Sequence, residues 1–259
     1  MNVLFIGDIV GKPGRQLIKE HLSDLKQEFK LDVCLANCEN VAQGRGITEK
    51  TANELFAAGI DAFTSGNHLW DKKEGLNFIS EENRIVKPIN YPEQALGNNY
   101  HIINLDSGSK LAIACVVGQV FMGPADSPFD KLDSLLPELK QQTNCILIDI
   151  HAEATAEKRA LSHYFDGRVS VIVGTHTHIQ TADEELLPAG TAYITDAGMT
   201  GPHDSVIGTE KDIILHKMTT GMPQRFEIAK EGLQINAIFI KIDDETGNAL
   251  HIERIRRKY

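Results

Sequence analysis

Two imidazoles at i and i+2, His176 and His178, follow the apolar run Val169-Ser-Val-Ile-Val173. Such a run predicts a strand that turns at Gly174, and on an extended segment positions two apart point to the same side. That arrangement can offer two nitrogen ligands to a pair of adjacent metal ions. It also suits a loop capped by histidine hydrogen bonds.

The same pattern, an apolar run ending in polar groups, recurs elsewhere. Asn2-Val-Leu-Phe-Ile6 stops at Gly7-Asp8, and Leu31-Asp-Val-Cys-Leu-Ala36 stops at Asn37-Cys38-Glu39-Asn40. Asp61-Ala-Phe-Thr64 stops at Ser65-Gly66-Asn67-His68, and Cys145-Ile-Leu-Ile-Asp149 runs into His151. In open α/β sheets, binding groups collect beyond the carboxyl ends of the strands. Asp8, Glu39, Asn40, Asn67, His68, His151, His176 and His178 are therefore the candidate site. Oxygen and nitrogen donors without thiolate suit iron, manganese or zinc better than copper(I) or a structural zinc.

The elements that must position these groups alternate strand and helix in the first half. After the Gly11-Lys-Pro-Gly14 loop, Leu17, Ile18, Leu22, Leu25 and Phe29 recur at helical spacing. Thr48 reads as the N-cap of a helix through Ala58, and another helix is expected from Asp71 to Ile79. The second half reads as richer in strands: a hairpin of Tyr100–Leu105 with Leu111–Val117, then Ala192–Thr195, Ile213–Lys217, Gln234–Ile242 and Leu250–Arg256. Helices are expected over 130–141 and 154–165. No repeat, low-complexity segment or linker interrupts residues 1–259, which read as a single domain of two stacked sheets with helices outside.

Bulk properties narrow the function classes. A chain of 259 residues can bury a substantial core, and 42% hydrophobic with 24% charged residues is ordinary for a globular protein. The net charge of −10 argues against a general nucleic-acid-binding surface, which needs a cationic footprint. It leaves room for a small phosphorylated substrate, since bound metal supplies positive charge locally. No run approaches the ~18 apolar residues needed to span a bilayer, and no signal peptide is visible. Cys34, Cys38, Cys115 and Cys145 sit in mostly apolar surroundings without ligand or redox spacing, so reduced, cytoplasmic thiols are expected.

The phrases Ile6-Gly-Asp-Ile-Val-Gly-Lys-Pro-Gly14, Asn37-Cys-Glu-Asn-Val-Ala42, Gly66-Asn-His-Leu-Trp70, His151-Ala-Glu-Ala-Thr155 and Asp196-Ala-Gly-Met-Thr-Gly-Pro202, with Gly174-Thr-His-Thr-His178, resemble the calcineurin-like metallophosphoesterases, and within them the YmdB-like branch, over nearly the whole chain. The resemblance implies a four-layer α/β/β/α sandwich of two mixed sheets that hydrolyses phosphoester bonds at a two-metal centre. It implies Glu39 as the bridging ligand, with Asp8, Asn40 and His178 on one ion and Asn67, His151 and His176 on the other. Most members of the wider family read Asp-x-His at the first motif. Here Asp8-Ile9-Val10 lacks the imidazole, Asn40 takes its place and Glu39 replaces the bridging Asp, which hardens that site; iron is expected, with manganese as the alternative.

By the same resemblance the substrate is a cyclic nucleotide, 2′,3′- or 3′,5′-, attacked by a hydroxide between the two ions. His68 is the candidate acid for the leaving oxygen, oriented by Asp71 at i+3; its alternative use is to hydrogen-bond a ligand. Two other functions compete: a phosphomonoesterase of small substrates, and a regulatory protein that binds a nucleotide or an RNA-processing partner with incidental hydrolysis. Neither stable nucleic-acid binding nor a membrane is expected, and apolar edge strands in the second half leave homo-oligomers open. His203 is placed at the substrate rim or in a solvent-facing loop, and Arg45 at the surface or a phosphate. Trp70 and Phe121 are assigned to core packing or to base stacking.

Overall fold

The first apolar run forms β1 (Asn2–Ile6), and the Asp8 that ends it opens the short strand β2 (Asp8–Ile9). In the computed structural model, which describes residues 1–259, the chain then enters α1 (Gly11–Phe29). The segment read as a loop at Gly11–Gly14 is the first turn of that helix, where Pro13 loses no hydrogen bond. Leu17, Ile18, Leu22 and Leu25 form its buried face, as their spacing requires.

β3 (Val33–Asn37) and α2 (Glu49–Ala58) follow. Thr48 caps α2 as expected: its hydroxyl accepts from the Thr51 N–H while the Thr51 hydroxyl accepts from the Thr48 N–H. After β4 (Ala62–Thr64), the helix expected over Asp71–Ile79 is divided into a tight turn at Lys73–Gly75 and α3 (Leu76–Glu81).

In the second half, β5 (Tyr100–Asn104) and β6 (Lys110–Val117) pair as the expected hairpin, with Tyr100 opposite Ala114. α4 (Pro128–Lys140), β7 (Ile146–His151), α5 (Thr155–Tyr164) and β8 (Val171–Thr175) come next. The chain continues through β9 (Glu185–Leu186), β10 (Ala192–Ile194), β11 (Met199–Pro202), α6 (Lys211–Thr220), β12 (Leu233–Ile242) and β13 (Ala249–Lys258).

One expected strand is a helix. Ile213–Lys217 lies inside α6, of which only Ile214 is buried, while Leu215 and Met218 are 53% and 76% exposed. Its β-branched run imitates a strand, and a helix that packs so little shows no burial period to correct that reading.

The strands form two mixed sheets, ordered β2-β11-β12-β1-β3-β4 with β13 added on β12, and β5-β6-β7-β8-β10-β9. Strand alternation divides the apolar residues among three cores. Leu4 and Ile6 of β1 face α1 and α2, whereas Val3 and Phe5 face the second sheet, meeting Leu147 and Val171. The other side of the second sheet, including Ile148 and Ile172, packs on α4 and α5 through Leu136 and Leu161. Three cores between four layers give the expected α/β/β/α sandwich, held together chiefly by apolar burial. All four cysteines are free and buried, and no helix is long and apolar enough to cross a membrane.

The runs β1-β3-β4 and β6-β7-β8-β10 are each internally parallel. Their carboxyl ends form one rim of the sandwich, and the eight candidate residues lie along it.

Candidate metal centre

One buried carboxylate joins the two sheets beneath that rim. Asp149 accepts from Asn37 Nδ2 at 3.1 Å and Thr64 Oγ1 at 2.6 Å, both from the first sheet, and from Thr175 Oγ1 at 2.7 Å in its own. Burial pushes its carboxyl up to about 6. Asn37 in turn accepts from the Glu39 N–H at 3.1 Å. Thr175, having given its hydroxyl proton to Asp149, accepts from His151 Nδ1 at 2.8 Å.

His151 Nε2 therefore faces the rim, where it meets acceptors on three sides: Glu39 Oε1 at 3.1 Å, Asn67 Oδ1 at 3.2 Å and His176 Nδ1 at 3.0 Å. One nitrogen carries one proton, so three acceptors around it outnumber the donors available. Burial opposes charge on His151, but Glu39 and Asp8 outweigh it and hold the imidazole at about 9. Burial likewise opposes the Glu39 carboxylate, yet His151 and His68 bring it down to about 2. Burial and the neighbouring His151 push His176 down to about 3, which keeps it neutral. The second Glu39 oxygen accepts from the His68 N–H at 2.9 Å.

A second group lies beside the first. His178 Nε2 is 3.2 Å from Asn40 Oδ1 and 4.0 Å from Asp8 Oδ1, and the other Asp8 oxygen accepts from the His176 N–H at 3.2 Å. Asp8 is fully buried, burial raises its pKa, and Oδ1 has no hydrogen-bond partner. A buried carboxylate oxygen without a donor costs free energy unless a cation supplies the partner.

Each imidazole has its outward nitrogen anchored: His151 Nδ1 on Thr175 Oγ1, His178 Nδ1 on the Ile207 carbonyl at 3.0 Å, and His176 Nε2 near Glu153 Oε2 at 3.2 Å. Such anchors fix each ring with its other nitrogen turned inward, the orientation of metal-ligating histidines. The orphaned Asp8 oxygen, the crowd of acceptors and the three anchored rings all fit metal ions. Gly66 permits the closeness, because a Cβ there would overlap both the His151 ring and Glu39 Oε2.

The candidate ligands thus lie in one connected cluster: Asn40 and His178 meet beside Asp8, Asn67 and His176 meet His151 beside Glu39, and the His176 N–H on Asp8 links the two groups. Both Glu39 oxygens have their neighbours on the His151 side. The route by which the opening histidines arrive differs from expectation. His176 and His178 are not on an extended segment but take left-handed φ values of 99° and 65°, so turn geometry, not strand alternation, aims them.

That strained turn has a support absent from the sequence reading. Lys158, fully buried on α5, donates to the Thr175 carbonyl at 2.6 Å and to Asp196 Oδ2 at 2.8 Å. Asp196 also accepts from the Thr177 N–H at 3.1 Å, the Thr177 hydroxyl at 2.8 Å and the Gly198 N–H at 2.8 Å. The signal was present: Lys158, Leu161 and Phe165 share one helical face, and that face is the buried one.

His68 Nδ1 lies 2.9 Å from Asp71 Oδ2, leaving Nε2 as its free nitrogen. Trp70 donates to the Leu96 carbonyl and packs edge-on against Tyr91, while Phe121 is 90% exposed. Arg45 is exposed. His203 points Nε2 at the Met199 carbonyl, 3.1 Å away, and is outside the cluster.

Known proteins resemble the chain over nearly its whole length. A Bacillus subtilis protein described as a 2′,3′-cyclic-nucleotide 2′-phosphodiesterase is 47% identical over 98% of this chain and 96% of its own length. The crystal structure of a Mycoplasma pneumoniae protein described as a novel phosphatase superposes with a TM-score of 0.94 at 35% identity, covering 100% of this chain and 93% of that one. A hypothetical protein from Thermus thermophilus superposes equally well, with a TM-score of 0.94 at 39% identity over 100% and 99%. The YmdB-like protein family matches residues 4–255, and the chain belongs to that family.

Proposed function

We propose that the chain is a metal-dependent phosphodiesterase acting on 2′,3′-cyclic nucleotides. The observation that carries this reading is the cluster of inward-facing acceptors around His151 with an orphaned Asp8 oxygen beside it, in a chain 47% identical to a cyclic-nucleotide phosphodiesterase. Asp8, Asn40 and His178 would hold one ion and Asn67, His151 and His176 the other, with Glu39 between them. Mixed oxygen and nitrogen donors favour iron, with manganese as the alternative. Bound ions would supply an activated water near neutral pH and neutralise phosphate charge.

The protein residues around them do the rest. Thr175, Glu153 and Ile207 keep the three rings oriented. His68, held at Nδ1 by Asp71, presents Nε2 to give a proton to the departing ribose oxygen. Its side chain is 24% exposed, open enough to exchange that proton with solvent between turnovers.

The phosphatase description of the Mycoplasma pneumoniae relative favours a second reading, hydrolysis of phosphomonoesters. Turnover of 2′,3′- and 3′,5′-cyclic nucleotides, bis-p-nitrophenyl phosphate and p-nitrophenyl phosphate by iron- or manganese-loaded protein separates the two. The 2′,3′-cyclic nucleotides are expected to be turned over fastest; monoesters outpacing every diester would reject the diesterase reading. H68A is expected to lower kcat by roughly 10²–10⁴-fold with metal content intact. An unchanged kcat would remove His68 from the acid role.

A further inference from the structure

On the inter-sheet face, β12 changes character as it nears the rim. Ile238, Ile240 and Ile242 are packed in the core between the sheets. The next residues on that face, Asn236 and Gln234, are amides, and they are only 1% and 2% exposed. Buried polar side chains in line with a core face are costly unless hydrogen-bonded, and these two bond to each other and to Arg256. Across the ladder, Arg256 pairs with Asn236 and Arg254 with Ile238, so both guanidiniums lie on this same face.

These residues line a cleft of about 330 Å³ whose wall also includes His178 and His203. That volume falls at the small end of the ~300–1,000 Å³ of ligand sites. His178 belongs to the candidate metal cluster, so the cleft adjoins it. No carboxylate lines it.

Its donors outnumber its acceptors. Arg256 gives Nε to Gln234 Oε1 at 3.3 Å, and both terminal nitrogens remain free. Arg254 gives Nη1 to the Thr181 carbonyl at 3.2 Å, and its Nε is 3.6 Å from Glu184, outside the cleft. Asn236 Oδ1 accepts from Gln234 Nε2 at 2.6 Å, and the Asn236 Nδ2 group makes no hydrogen bond of its own. Two planar guanidiniums and a buried amide, without a carboxylate among them, match an oxyanion of phosphoryl geometry.

We propose that this cleft is a second anion subsite, which takes a phosphoryl group of the substrate other than the one being hydrolysed. The favoured substrate is then a 2′,3′-cyclic nucleotide that carries a further phosphate, either a 5′-phosphate or the backbone phosphate of a short oligonucleotide ending in the cyclic group. This subsite rests on the phosphodiesterase reading above.

The test compares KM on metal-loaded, full-length protein for three substrates: a nucleoside 2′,3′-cyclic phosphate, its 5′-phosphorylated form, and a dinucleotide ending in the 2′,3′-cyclic phosphate. The extra phosphate is expected to lower KM by about 10–100-fold, the effect of one or two hydrogen bonds to a charged group. Whichever phosphorylated substrate shows the lower KM identifies the source of the second phosphate. R254Q and R256Q are expected to collapse the ratio toward one, and R256K, which keeps the charge without the fork, to leave an intermediate ratio.

Equal KM for all three substrates in the unmodified protein would overturn the proposal, as would variants that leave the ratio intact. Bis-p-nitrophenyl phosphate, which has no second phosphate, reports separately on the diesterase reading. If it and every cyclic nucleotide are refused, that reading fails. The subsite is then judged by equilibrium binding of a nucleoside 5′-monophosphate to the same metal-loaded protein. Binding at least tenfold weaker in the R254Q/R256Q double variant would support it, and equal binding would overturn it.

Discussion

The two sheets contribute different chemistry to one rim. Every candidate ligand from the first sheet is an oxygen donor: Asp8, Glu39, Asn40 and Asn67. Every one from the second is an imidazole: His151, His176 and His178. Their supports differ in kind as well. The oxygens are set by short turns and backbone hydrogen bonds, such as the Glu39 N–H on Asn37 and the His68 N–H on Glu39. The imidazoles are braced by side chains and a carbonyl behind them, including the fully buried Asp149, Lys158 and Asp196. The difference follows from the groups themselves. A carboxylate offers lone pairs in several directions, whereas an imidazole offers one, and only when its other nitrogen is fixed. A histidine ligand needs something behind it; a carboxylate ligand needs mainly a place to stand.

The contrast can be broken most forcefully at Lys158. Removing the ammonium leaves Asp196 buried and unpaired, so K158M is expected to destabilise the fold by about 3–5 kcal/mol, measured by denaturant unfolding. K158M combined with D196N is expected to recover part of that loss, because the uncompensated charge is gone. A K158M loss below ~1 kcal/mol, no more than an exposed pair contributes, would show that the pair is not a brace.

A smaller and more local effect is expected at Thr175. T175V keeps the shape but removes the hydroxyl between Asp149 and His151. Metal affinity should fall by roughly 10–100-fold, the usual cost of losing an outer anchor, and calorimetric metal titration reads it. If T175V binds metal as tightly as the unmodified protein, the Asp149–Thr175–His151 relay does not orient the ligand.

The smallest effect is expected at Glu153, whose side chain is 52% exposed. Solvent can replace its contact to His176, so E153Q should weaken metal binding by less than about tenfold, below the range for a buried anchor. Finding E153Q worse than T175V would reverse the ranking of buried over exposed support.

Much of this architecture was legible in the order of residues. Apolar runs of four to six residues marked β1, β3, β4, β7 and β8, and their polar ends marked the rim. Thr48 announced a helix start, and the spacing of Leu17, Ile18, Leu22 and Leu25 announced a buried helix face. Where local pattern and packing part company, reading fails. Ile213–Lys217 has the residues of a strand but forms a helix with little tertiary contact. Gly174–His178 has the residues of a strand end, but the strand stops at Thr175 and His176 and His178 take left-handed conformations.

The sequence by itself determined which donors could ligate and the strands that would carry them, because alternation and apolar runs act over a few residues. Tertiary structure decided that oxygens from one sheet would meet nitrogens from the other. It also decided that Asp149, Lys158 and Asp196 would become buried supports. Lys158 sits in Ala156-Glu-Lys-Arg159, where its spacing from Leu161 marks a buried helix face but nothing nearby in the chain names a partner for its charge. Its charge became structural only when α5 packed against the second sheet and brought it to Asp196, 38 residues away. No local rule contains that distance; it is created when the layers close and water leaves.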